Sequence, residues 1–104
     1  MNYKEARQHL AMLQRRYEET RILIAAIDRH WRDAAEEIAV RQAGKSRRCY
    51  RHQTSWTAAD ERRYLIARDT LAARFGHDRD RSERKAQRQL ASIEAIKRKY
   101  RFNE

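Results

Sequence analysis

No glycine or proline interrupts the chain between Met1 and Ala43. Across all 104 residues proline is absent, and glycine occurs twice, at Gly44 and Gly76. A β-protein of this length turns about every eight to twelve residues and builds those turns largely from these two residue types. The chain therefore reads as all-α. The expected architecture is an elongated helical hairpin or a three-helix antiparallel arrangement, with one long, coiled-coil-like N-terminal helix, in a single domain over residues 1–104.

The first helix is predicted over about residues 3–43. Asn2 followed by Glu5 is a capping-box pattern that starts it, and Gly44 is placed to end it as the residue after the cap. Reading every third and fourth residue gives Tyr3, Ala6, Leu10, Leu13, Tyr17, Thr20, Ile24, Ile27, Trp31, Ala34 and Ile38. This is a heptad stripe, and it must lie against another helix, because an isolated helix gains too little to hold itself together. Ile22, Leu23 and Ala26 widen the stripe in "RILIAAI", which points to two neighbours there and a packed centre near residues 22–38.

A basic loop, residues 44–56, follows. Thr57 with Asp60 is a second capping pattern, with Trp56 ahead of it as a staple, and a second helix is predicted over about residues 58–75. Gly76 reads as another helix stop. Asp80 with Glu83 reads as a third start, for a helix over about residues 81–101 with Ala86, Leu90, Ile93, Ile96 and Tyr100 on one face. The stretch 77–89 is so polar that one bent helix is the alternative. On the three-helix arrangement the first helix outruns the other two. Tyr3, Leu10, Leu13 and Tyr17 then lack cover within the chain and are expected to form an interface with a second copy or a partner.

Twenty-five basic against fifteen acidic residues give a formal net charge of +10, which favours anionic partners. The excess is localised. Residues 44–56 hold four basic residues and no acid, and residues 77–104 hold nine basic and five acidic ones; the other two segments are nearly balanced. With three antiparallel helices the chain's end returns to the loop. One basic pole would then join Lys45, Arg47, Arg48, Tyr50 and Arg51 to Lys97, Arg98, Lys99 and Arg101, with Trp56, Tyr100 and Phe102 among them. Guanidinium forks suit phosphates and aromatic rings suit unpaired bases. A continuous second helix would instead leave two separate clusters. Of the aromatics, Trp56 and Tyr100 are expected in the core, while Tyr50 and Phe102 suit the surface at least as well as the core.

Other chemistries lack their residues. "GKS" at 44–46 resembles the end of a phosphate loop, but the glycine required five positions earlier is Ala39, and no strand precedes it. Cys49 and His52 have the spacing of half a zinc site; His9, His30 and His77 are scattered, so no metal site is expected. Nothing marks a base or an oxyanion site for Cys49. Glu18, Glu19, Glu36 and Glu37 lie off the stripe. The expectation is a non-enzymatic protein with no cofactor and no small-molecule substrate, binding nucleic acid (DNA or RNA) or an acidic protein or nucleoprotein surface, with homodimerisation possible. No apolar run approaches the roughly 20 residues of a membrane span, the N-terminus lacks a signal peptide's apolar stretch, and one cysteine fits a reducing compartment, so the cytoplasm is the expected location.

Overall fold

The computed structural model of the chain describes residues 1–44 and 51–102. It is all-helical, with two helices among those residues: α1, Tyr3–Gln42, and α2, Ala58–Tyr100. The capping boxes at both starts form as the sequence predicts. The Glu5 amide donates to Asn2 Oδ1 at 2.8 Å and the Asn2 amide donates back to Glu5 Oε2 at 3.3 Å. At α2, the Asp60 amide donates to Thr57 Oγ1 at 3.1 Å and the Thr57 amide to Asp60 Oδ2 at 2.9 Å. Asp60 is buried, and Arg63 at 3.1 Å balances its charge. Gly44 closes α1 with φ of +66°, a conformation that costs glycine nothing.

The third helix is not present; residues 58–75 and 81–101 are parts of one helix. Gly76 lowers helix stability by only about 1 kcal/mol relative to alanine, too little to stop a helix that tertiary packing holds on both sides. The polar stretch beyond it is rich in Arg, Lys, Glu and Gln, all good helix formers. Glu83 does not cap a new start; it pairs along the helix with Arg79 at 3.4 Å and across to Arg21 at 3.8 Å.

The chain divides into two compact units, each made of part of both helices: unit 1 is residues 1–25 with 78–104, and unit 2 is residues 26–77. Within each unit the helices pair antiparallel. In unit 1 a cluster of Ala6, Leu10, Ile93 and Phe102 is flanked by Leu13, Tyr17, Ile96 and Tyr100. In unit 2 the cluster is Ala35, Ala39, Tyr64 and Ala67, flanked by Ile38, Trp56, Leu65 and Leu71. Small residues let the backbones come close; Gly76 does the same for the Trp31 ring, which would lie 3.8 Å from a Cβ there.

Most of the α1 stripe faces inward, with a drift. A 3.6-residue helix slips about 20° per heptad against a strict seven-residue repeat, or one residue in five heptads. Ala6, Leu10 and Ile24 are buried as read, but further on the most buried positions are Ala35 and Ala39, one residue past Ala34 and Ile38. The widened face around residue 22 does not meet two neighbours: Ile22 is 59% exposed and Leu23 52%. The overhang is absent as well. Because α2 continues to Tyr100, Leu10 is buried, and Leu13 and Tyr17 pack on the same cluster as Ile93 and Phe102. Of the four residues expected to lack cover, only Tyr3 remains exposed.

Candidate functional site

The end of unit 1 gathers cations and rings. The last turn of α2 carries Lys97, Arg98 and Lys99, where positive charge complements the carbonyl end of the helix dipole. Arg101 then takes φ of +55°, in the left-handed region. Its amide donates to the Arg98 carbonyl at 3.4 Å, and the Phe102 amide reaches back to the Lys97 carbonyl at 2.9 Å. These are the two bonds of a Schellman closure, with arginine where glycine is usual. A non-glycine residue there costs on the order of 1 kcal/mol. The burial of Phe102 in the unit 1 cluster offsets that cost.

Phe102, which the sequence left open between surface and core, is buried. Its ring takes the edge of Tyr3 at 5.0 Å between centroids and stacks on Tyr100 at 6.0 Å. The Tyr100 hydroxyl donates to the Met1 carbonyl at 3.3 Å. Tyr100 and Ile96 belong to this cluster, not to the neighbourhood of Leu65 and Trp56 that a third antiparallel helix would have reached. The Arg7 guanidinium stands 5.4 Å from the Tyr3 centroid and 5.7 Å from that of Phe102, and the Lys99 ammonium 5.5 Å from Tyr100. Tyr3 is 54% exposed, and Lys4, Arg7, Arg98, Lys99 and Arg101 of the same unit are exposed too. No acid occurs between Glu94 and Phe102. Such a surface can hold phosphates by its cations and flat apolar groups by its ring.

The loop belongs to unit 2 and the C-terminal cluster to unit 1, and among the described residues no third helix returns the chain's end toward the loop. Lys45, Arg47, Arg48 and Tyr50 lie outside the described residues. Arg51 is engaged within unit 2. Its guanidinium hydrogen-bonds both carboxylate oxygens of Glu61, Oε2 at 3.0 Å, and lies 4.1 Å from the Tyr64 centroid. Its amide donates to Glu36 Oε1 at 2.6 Å. The hydrogen bond to Glu61 raises the Arg51 pKa, and the same bond holds the Glu61 carboxyl below its usual range. Arg51 thus ties the end of the loop to both helices of its unit. Trp56, expected in the core, packs at the cluster with its ring 6.5 Å from Tyr64.

Sequence reading did not bring Lys4 and Arg7 into the site, and it assigned Tyr3 elsewhere. Only the pairing of the two helices in unit 1 places Tyr3 and Arg7 beside Phe102; the continuous-helix alternative was the signal that would have found them. Among the described residues no three His, Cys, Asp or Glu side chains gather where they could hold a metal ion, and no helix is long and apolar enough to cross a membrane. Set against protein-family models, curated proteins and solved structures, the chain matches none.

Proposed function

We infer that this chain is a non-enzymatic binding protein, a basic helical module that grips the phosphates of nucleic acid, DNA or RNA, without reading base sequence. The observation that carries the reading is the end of unit 1, where Arg98, Lys99 and Arg101 stand exposed in a stretch free of acids and Arg7 lies against the Phe102 ring. Lysine and arginine contacts to phosphate release counterions and carry no base information. Lys45, Arg47 and Arg48 add a second basic segment to the same chemistry. The test is a salt titration of binding to random-sequence DNA and RNA. Log affinity should fall linearly with log salt, by about 0.7 per phosphate contact on single strands and about 0.9 on duplex. Absence of binding near physiological salt would reject the reading.

One observation favours a second reading. Ile22 and Leu23 are exposed side by side on α1, and adjacent large apolar groups at a surface suit a protein partner. On that reading the chain is a helical interaction factor, such as an adaptor, an assembly or export chaperone or a small mobile-element inhibitor, that binds an acidic protein surface or a nucleoprotein complex, with its basic groups steering the encounter.

A further inference from the structure

The ring of Tyr3 is the feature that simple phosphate gripping leaves unused. Phe102 obtains its burial from Ala6, Leu10 and Ile93, and Tyr3 adds only an edge contact at 5.0 Å. More than half of the tyrosine remains in solvent, where exposed Arg7 and Lys99 meet the rings of Tyr3, Phe102 and Tyr100. The one acid in the first turn of α1, Glu5, is turned to the Asn2 amide in the capping box; its single charge is outnumbered by the cations of Lys4, Arg7, Arg98, Lys99 and Arg101.

A duplex offers such a surface its phosphates but not its bases, whose faces are covered by their neighbours in the stack. A single strand offers both. An acidic peptide matches the cations and leaves the ring unmatched. Resting on the phosphate-binding reading above, we propose that the end of unit 1 takes single-stranded polynucleotide, with an unpaired base against Tyr3 and the adjoining phosphates on Arg7, Lys99 and Arg101. Stacking on a ring is indifferent to base identity, so this preference is for strandedness and not for sequence. The three phosphate contacts set a salt slope of about 2.1 on a single strand.

The experiment is fluorescence anisotropy of the full chain with short labelled oligo(dT), oligo(U) and a mixed-sequence duplex of equal length, over a salt series. Tyr3→Leu keeps an apolar side chain against Phe102 and removes the ring. It should weaken both single strands by about 5- to 150-fold, the range of one stacked base, with the salt slope unchanged and duplex binding unaffected. Lys99→Gln with Arg101→Gln should flatten the slope on single strand and duplex alike, while Arg29→Gln, on unit 2, should change neither. The melting curve of Tyr3→Leu shows whether unit 1 stays folded, and Tyr3→Phe, which keeps the ring, should bind as the wild type does. Equal loss on single strand and duplex, no loss from Tyr3→Leu, or wild-type duplex binding as tight as single-strand binding would each overturn the stacking proposal while leaving phosphate gripping in place. If the wild type binds none of the three probes at physiological salt, both readings fail together, and an acidic protein becomes the partner to seek.

Discussion

Arg51 was read as a ligand-gripping cation and is found as a fastener, and the two roles separate cleanly in an experiment. Replacing it with methionine keeps an unbranched apolar stem and removes two interactions: the hydrogen bond that Nε shares between the two Glu61 oxygens and the contact with the Tyr64 ring. A hydrogen bond to a charged group contributes about 1.5–3 kcal/mol, and a partly desolvated cation on a ring about 1 kcal/mol. The ion pair is itself partly exposed, at 28% and 30% of the two side chains, so solvent screening reduces the total. Loss of stability on the order of 2 kcal/mol follows. Both tryptophans, Trp31 and Trp56, lie in unit 2, so tryptophan fluorescence in a urea titration reads this unit while circular dichroism reads all of the helix. A double-mutant cycle with Glu61→Gln isolates the pair and should give a coupling of about 1 kcal/mol or more. The pH dependence has a definite sign. Because the folded Glu61 carboxyl sits below its ordinary value, the pair's contribution is complete above that ordinary value. It is lost as pH falls through the lowered one, so the coupling should be full at neutral pH and vanish on the acid side. Binding of nucleic acid, by contrast, should keep its salt slope in Arg51→Met. A coupling near zero at neutral pH, or a slope that drops by one phosphate contact, would refute the assignment.

The two glycines should respond oppositely to alanine. Gly44→Ala forces a side chain into φ of +66° and should cost about 1 kcal/mol, whereas Gly76→Ala sits in a continuous helix with only an ordinary contact to Trp31 and should gain up to about 1 kcal/mol; urea midpoints check both. Arg101→Gly relieves the left-handed residue at the end of α2 and should raise stability by about 0.5–1 kcal/mol, while the salt slope on single strands falls by about 0.7. A destabilised Arg101→Gly would mean that the arginine side chain makes contacts worth more than its backbone strain.

What was legible in the sequence was local. Asn2 with Glu5, Thr57 with Asp60, and Gly44 each act within one turn of chain, and each does in the structure what its spacing implies. The inward stripe of α1 was also legible, because periodicity survives without knowledge of the partner. The failures came where a local signal competed with tertiary packing. Gly76 and Asp80 resemble a stop and a start, yet both are overridden by the burial of Tyr64 and Ala67 before them and Ala86 and Ile93 after them. The site inherited that error. The number of helices decides which residues the end of the chain meets, so neither the burial of Phe102 nor its contact with Arg7 can be read from the sequence pattern. Arg51 could not be resolved by charge counting at all, since an arginine bound to Glu61 and an arginine free for phosphate look alike in a sequence.

The division into two units sets an order of assembly. Contacts in unit 2 join residues close along the chain, as between Arg51 and Glu61, ten positions apart, whereas Tyr100 meets Met1 across 99. Loop-closure entropy grows with the logarithm of that separation. Unit 2 therefore encloses the turn and can close from an open chain, while unit 1 forms cheaply only after unit 2 has shortened the span its helices must bridge. Refolding should show the tryptophan signal of unit 2 reaching its final value no later than the protection of unit 1 amides from hydrogen exchange. The cationic end of unit 1 is then the last part of the fold to be made.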